Sequence, residues 1–402
     1  EFNSSVKLIM RHNAIDFRKT PGPLTKDTRK VHPGFDFSYV NPVSRRFGFT
    51  LSGGNSKQYF RQEGIAGSSN FWAGAGVATN GGTLPDTTPD RPYLTSYTAR
   101  DAWTSLERHS AGATVDYQIA PNDRLTFAFQ YAATFAENMI RILRFNVNRV
   151  LPGNFDATST RGFAGAGDLQ INGSGRHADA WNYMPMLTWR HNGSVWRAES
   201  GLGLSRAYTR FGEMSEGFFG TTLVRRTGVT VSFEDITPQR PNRVTVTDGA
   251  TGAPVDPYDL RNYSAIQGGT IPLVVDDTQR TGYANLARDF HWRVPITLKA
   301  GLDVRQSVRD TRRADQTVQF VGQDGRGSTT PVSNDDSAAP FLDESISQRP
   351  GAFGFPAIQQ ISSTKLYEHF LSTPSHFTVD PNATFVSFIN NSRRTEEVVS
   401  SA

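Results

Sequence analysis

The most constraining feature of this chain is strict two-residue alternation, repeated in segment after segment. Ile296, Leu298, Ala300, Leu302 and Val304 are apolar, while Thr297, Lys299, Gly301, Asp303 and Arg305 between them are polar or glycine. A period of two puts these sets on opposite faces of an extended strand. Leu125, Phe127, Phe129, Tyr131, Ala133 and Phe135 alternate with Thr126, Ala128, Gln130, Ala132 and Thr134. Ala111, Ala113, Val115, Tyr117 and Ile119 alternate with Gly112, Thr114, Asp116 and Gln118. Phe35, Phe37 and Tyr39, then Phe47, Phe49 and Leu51, follow the same rule. The chain is therefore expected to be all-β, with 36 Gly, 22 Pro and 27 Phe among 402 residues favouring strands and loops over helices.

The connections carry a second pattern. Strands ending near Val40, Ile119, Trp189 and Leu286 are followed by Asn41–Ser44, Ala120–Asp123, Arg190–Ser194 and Arg288–Pro295. The first three are rich in Asn, Asp, Pro and Gly, the residues of tight turns. The other connections are long, at about 18–29, 54–96, 146–175, 212–276 and 311–392. Short and long connections thus alternate, as they do where turns lie on one side of a membrane and loops on the other. Nine strands and the start of a tenth near Arg394–Ser401 are expected, each long enough to cross a bilayer at a tilt.

Soluble antiparallel sheets alternate too, so the environment of the apolar face needs its own argument. The polar face carries Asp116, Gln118, Arg197, Glu199, Asn285, Lys299, Asp303 and Arg305. No amphipathic helical stretch is evident to cover the apolar face, whereas lipid would cover it without a second protein layer. Phe47, Tyr117, Trp189, Trp196 and Trp292 gather near the turn ends, where a membrane–water boundary favours aromatic rings. No run reaches the roughly 18 apolar residues of a membrane helix, a test that barrel strands never meet. Cysteine is absent, which excludes disulfides and thiolate metal sites. The net charge of +4 comes with arginines scattered along the chain, so nucleic acid is not an expected partner.

The segments 44–53, 111–135 and 296–305 resemble barrel hairpins of TonB-dependent outer-membrane receptors, and 19–37 resembles the first hairpin after the plug in some members. The resemblance runs over most of residues 1–402, through loose motifs. It implies a transmembrane, antiparallel, up-and-down β-barrel of about 22 strands, with an N-terminal plug in the lumen. It also implies residence in the outer membrane of a Gram-negative cell, among outer-membrane lipid, and uptake of a scarce nutrient with energy delivered through the TonB complex. A metal chelate such as a siderophore, cobalamin or an oligosaccharide would be the cargo. Neither a plug before the first strand nor a closing terminal strand is evident. The chain therefore reads as roughly the front half of such a barrel, and a leader sequence is absent from its start.

Searches for chemistry find no phosphate-cradling, nucleophile-elbow or zinc-protease motif, so no catalysis and no cofactor are expected. Gly162–Gly167 and Trp72–Gly76 are glycine-rich but read as flexible loop. His369 and His376 with Glu368 match no structural zinc spacing, and no metal site is assigned to them. Asp276–Asp277 and Asp256–Asp259 fit turn-forming carboxylates better than calcium ligands. Two groups remain as candidates. Phe71, Trp72, Tyr93 and Tyr97 stack on a ligand at the surface mouth or pack their own loop. Asp116, Arg197, Glu199, Asp303 and Arg305 hold a plug against the lumen wall or simply hydrate it. Competing readings are a passive channel, an adhesin-type barrel, or a soluble all-β carbohydrate-binding protein.

Overall fold

The computed structural model describes residues 3–12, 14–22, 24, 26–64, 70–72, 93–151, 153–238, 240–328, 335–347 and 354–402. Ten long strands organise it: β1 (Asn3–His12), β2 (Val31–Asn41), β3 (Phe47–Gly64), β4 (Tyr93–Ala120), β5 (Asp123–Asn146), β6 (Gly167–Asn192), β7 (Trp196–Phe211), β8 (Leu273–His291), β9 (Pro295–Arg313) and β10 (Arg393–Ser401). Each pairs antiparallel with the next in chain order. The outer edges of β1 and β10 have no strand partner among the described residues, so the sheet is open. Among the described residues, no helix is long and apolar enough to cross a membrane.

The connections alternate as expected. Residues 42–46, 121–122, 193–195 and 292–294 make short turns at one end of the sheet, and 13–30, 65–92, 147–166, 212–272 and 314–392 make long connections at the other. The turns are closed locally. Ser44 Oγ accepts the backbone N–H groups of Arg46 and Phe47 at 3.2 and 3.0 Å. Gly193 N–H donates to the Trp196 carbonyl at 2.9 Å.

Register keeps the alternation coherent from strand to strand. One row runs Phe49, Val115, Phe127, Leu187, Leu202, Gly282 and Val304 across β3 to β9. The neighbouring row on the opposite face runs Gly48, Asp116, Thr126, Thr188, Gly201, Tyr283 and Asp303. A slip of one residue in any pair would mix the two sets.

Several strands run further toward the long connections than the sequence suggests. β3 continues to Gly64 although the connection was expected from 54, and β6 begins at Gly167 although the connection was expected to last to 175. The two longest connections are themselves structured. Strands Thr221–Ile236, Pro241–Asp248, Ser264–Thr270, Gln316–Phe320 and Phe377–Val379 form a cap. Thr221–Ile236 pairs with the upper part of β6, whose lower part pairs with β7, so the sheet forks there. Two helices also appear where no amphipathic helix was expected: α1 (Ser363–Ser372) and α2 (Pro381–Asn391). Ser362 caps α1 through its hydroxyl, and Asp380 caps α2 with Pro381 in the first turn.

The buried core belongs to the cap end. Tyr97, Leu143, Phe145, Leu169, Ile171, Val224, Ile266, Val318, Phe341, Leu366 and Phe377 form one cluster over the upper strands. Below it, the large apolar side chains of the ten-stranded sheet are uncovered. Leu8 is 88% exposed, Leu202 66%, Leu298 65% and Leu302 53%.

Candidate functional site

The polar face of the sheet is one candidate surface, and all five wall residues lie on it. Cross-strand order places Asp116 and Asp303 in one row, Glu199 in the next toward the turns, and Arg305 in the next away from them. Each has a protein partner. Arg124 reaches Asp116 at 3.0 Å and Thr126 donates to it at 2.6 Å. Arg190 donates to Glu199 at 2.7 Å, and the Tyr283 hydroxyl donates to the same carboxylate at 2.6 Å. Gly201 makes the second bond possible, since a Cβ there would lie 2.4 Å from the Tyr283 ring. Arg197 pairs with Asp289 at 2.7 Å, and Arg305 with Asp303 at 2.8 Å along the same strand. The wall is thus a mosaic of short-range ion pairs, each half-exposed and individually weak.

Three clefts open on this face. One of about 510 Å³ lies at the turn end among Thr50, Asp116, Gln118 and Arg124. A second of about 500 Å³ is lined by Arg190, Arg197, Glu199, Asn285 and Lys299. A third of about 310 Å³ lies higher, among Ser52, Thr114, Gln130 and Asn182. Their linings mix these polar side chains with small and apolar ones, such as Ala300 in the second and Phe129 and Met184 in the third.

The apolar face has a defined upper border. Above Phe135 the next residue on this face is Glu137, and above Ala111 come His109 and Glu107. Lys57 bonds Glu107 at 3.4 Å, His109 approaches Glu107 at 3.1 Å, and His177 approaches Glu137 at 3.5 Å. Arg206 and Asp276 pair across β7 and β8, and Arg280 reaches Gln306 at 2.8 Å across β8 and β9. Aromatic rings flank the band: Phe47, Tyr117, Trp189 and Trp196 toward the turns, and Phe135, Trp181 and Tyr208 toward the cap. Trp181 stacks between Tyr183 and Tyr208, with centroids 5.9 and 5.3 Å away.

The aromatic loop candidates divide. Tyr93 and Tyr97 are 1% and 0% exposed and belong to the cap core. Tyr97 stacks on Phe355 at 5.7 Å, and Tyr93 meets Phe155 at 4.8 Å. Burial pushes both phenols up to about 12. Both rings pack against other connections, Phe155 of 147–166 and Phe355 of 314–392, within the shared cap core. Phe71 and Trp72 lie in the short strand Asn70–Trp72, paired with the start of β4, and their side chains fall outside what is described.

The remaining polar clusters serve local structure. Asp256 and Asp259 accept the backbone N–H groups of Tyr258 and Arg261 at 2.9 Å each. His369 Nε2 and His376 Nδ1 lie 3.0 Å apart among Phe320, Phe341 and Phe377. Burial first, and the neighbouring His376 second, lower the His369 pKa. Glu368 is exposed. Gly162–Gly167 lies in the connection after β5, with Gly165 at φ +73° packed near Gly249. Of Trp72–Gly76, residues 73–76 lie outside the described residues.

A buried ion pair clamps the longest connection to the wall. Arg141 on β5 and Asp343 are each 3% exposed at the side chain and lie 2.8 Å apart. The Arg141 guanidinium also sits 4.8 Å over the Trp103 ring. Sequence reading missed this pair, because the partners are 202 residues apart and neither sits in a motif.

No protein-family model and no curated protein matches the chain. Among solved structures it is similar to the toluene transporter TodX of P. putida, at 10% identity, over 79% of this chain and 81% of that one. The TM-score of 0.20 is too low for this likeness to carry an argument.

Proposed function

We propose that the chain forms part of the wall of an outer-membrane β-barrel. In this view it belongs to a receptor that takes up a scarce nutrient with energy delivered through TonB. The observation that carries the reading is the uncovered apolar face. Leu8, Phe37, Leu51, Phe127, Leu187, Leu202, Leu286, Leu298 and Leu302 are all exposed on it. A contiguous patch spread over ten strands far exceeds the few hundred Å² that soluble monomers expose. Among the described residues the buried clusters lie at the cap end, so the bare face is not a failure of packing in general.

Dimensions support lipid as the missing layer. Leu125 to Phe135 is ten residue steps on β5. At roughly 3.3 Å per step and a tilt near 40°, this stands about 25 Å tall, the height of an outer-membrane apolar band. The aromatic rows then fall at its two boundaries and the charged border above it, at headgroup level. The clefted polar face becomes the lumen wall. In hydrocarbon each unpaired backbone group costs several kcal/mol, so the free edges of β1 and β10 would meet further strands.

Bilayers of brominated lipid test this. Trp181, Trp189 and Trp196 lie on the apolar face, whereas Trp103 is buried beneath the cap. Strong quenching of the first three is expected, with Trp103 left bright in a variant in which it is the sole tryptophan. Absence of quenching in chain reconstituted with brominated lipid would refute lipid contact.

A further inference from the structure

The polar face does not end with the wall. Pairing of β4, β5 and β6 carries no register shift between Asp116 and the cap. The face that holds Asp116 and Thr126 therefore continues upward to Arg100, Arg144 and Asn172. There the cap strand Thr221–Ile236 extends it, with Arg225 opposite Gln170. Thr98, Arg144, Gln170 and Arg225 form one cross-strand row. Arg144 and Arg225 are two strand spacings apart, about 10 Å between Cα atoms. Arg100 is the diagonal neighbour of Arg144, at roughly 7–8 Å.

These arginines differ from those of the lower wall. Arg124, Arg190, Arg197 and Arg305 each have a carboxylate partner. Arg100, Arg144 and Arg225 have none among the described residues. The one acid beside them among the described residues, Asp168, accepts from Asn146, Asn148 and Gln170 at 3.2, 2.8 and 2.7 Å. The patch also holds buried polar atoms with nothing to bond. Thr98 is 2% exposed and its hydroxyl has no partner, and Arg100 Nε and Asn172 Oδ1 are likewise unsatisfied. Such atoms occur elsewhere in the fold too, so it is the three unpaired cations on one face that mark the patch.

We propose that this upper polar face, carried by Arg100, Arg144 and Arg225, captures a small polyanion bearing carboxylate or phosphate oxygens. The planar guanidinium fork donates two parallel bonds to either group. Gln170 lies between Arg144 and Arg225 in the row, its amide donating to Asp168 at 2.7 Å. Among the described residues, three arginines against one engaged aspartate leave the patch positive, and its place above the wall suits first contact with an incoming solute. The inference rests on the barrel reading, which makes this face the inner side of the mouth.

The test is calorimetric titration of the full chain, folded in lipid bilayers, with citrate and separately with inorganic pyrophosphate. Arg144→Gln and Arg225→Gln are compared with Arg124→Gln at the turn end. Each mouth variant is expected to weaken anion binding about ten- to a hundred-fold, the loss of a charge-assisted bond. Arg124→Gln is expected to bind as the parent does. Arg144→Lys keeps the charge without the fork and is expected to fall in between. Tighter binding of citrate assigns a carboxylate cargo, and tighter binding of pyrophosphate a phosphate one. Binding of neither anion, or equal binding by all variants, overturns the proposal. Brominated-lipid quenching on the same samples separates the two readings. Quenching without anion binding refutes the capture site alone, whereas anion binding without quenching refutes only the membrane wall.

Discussion

Leu302 and Asp303 are adjacent on β9 and face opposite ways, so two substitutions separate lipid from water as the outer solvent. Leu302 is 53% exposed and lies in the apolar stretch Ile296–Val304, one alternation step above its middle residue Ala300. If that face meets lipid, Leu302→Arg draws a guanidinium into hydrocarbon near the midplane, at about 2–4 kcal/mol. That corresponds to a factor of about 30 to 1,000 in the folding equilibrium, at about 1.4 kcal/mol per tenfold. If the face meets water, the same change is an ordinary surface substitution within about 0.5 kcal/mol. Among the described residues Asp303 pairs only with Arg305, 2.8 Å away and itself largely exposed. Such a pair contributes roughly 0–1 kcal/mol, so Asp303→Asn is mild under either solvent. The assay is the heat-modifiable folded fraction of each variant after insertion into bilayers, supported by urea titration. A large loss for Leu302→Arg with near-parent folding for Asp303→Asn is expected. Equal folding would refute lipid contact at this face, and loss confined to Asp303→Asn would mean the two faces are reversed.

Three further outcomes concern the cap. Arg141→Ala strands the Asp343 carboxylate in a buried site, a change that typically costs about 3–5 kcal/mol, and should speed proteolysis near Asp343–Ser347, with Arg141→Met/Asp343→Leu restoring protection; unchanged cleavage would remove the clamp from consideration. His369 has a lowered pKa in the fold, so its neutral form favours the folded cap; that stability is complete above about pH 6.5 and declines as pH falls toward the lowered value. Hydrogen exchange over 366–377 should therefore accelerate on acidification in the parent and much less in His369→Gln. Tyr97→Phe removes a buried hydroxyl that has no partner, so the melting temperature of the cap should hold or rise, and a clear fall would show that the hydroxyl is satisfied.

How far the strands could be read depends on where the two faces differ. From Leu125 to Phe135 every outward residue but Ala133 is large and apolar, and every inward one is small or polar, so the period is plain. Past the charged border the contrast fades. Upper β3 reads Lys57, Gln58, Tyr59, Phe60 and Arg61, polar and apolar on both faces, because there the cap packs on the sheet and Tyr59 joins Trp103 and Ile346 in a buried cluster. The strand persists there through pairing with β4, which no local pattern reports. The helices were hidden for another reason. Both are under about a dozen residues, too short to display a 3.6-residue period, although the Ser362 and Asp380-Pro381 caps stand in the sequence.

Sites in a sheet of this kind are written across strands and leave little trace along the chain. The wall carboxylates were legible because alternation alone assigns them a face. Tyr93 and Tyr97 were ambiguous because an aromatic beyond the charged border has two uses, stacking on a solute or filling a cap, and only their burial decides. Arg100, Arg144 and Arg225 look scattered in the sequence, and no spacing between them suggests a motif. They become neighbours through the pairing of β4 with β5, β5 with β6, and β6 with Thr221–Ile236. The fork above β7 is what brings the third of them in, since it frees the upper edge of β6 to pair with a strand from the longest connection but one. A cap that folds on its own hydrophobic core can hold that strand in register, which a mobile surface loop cannot. The packed interior at the loop end thus fixes the upper strands in register, while the apolar face below it stays uncovered by protein among the described residues.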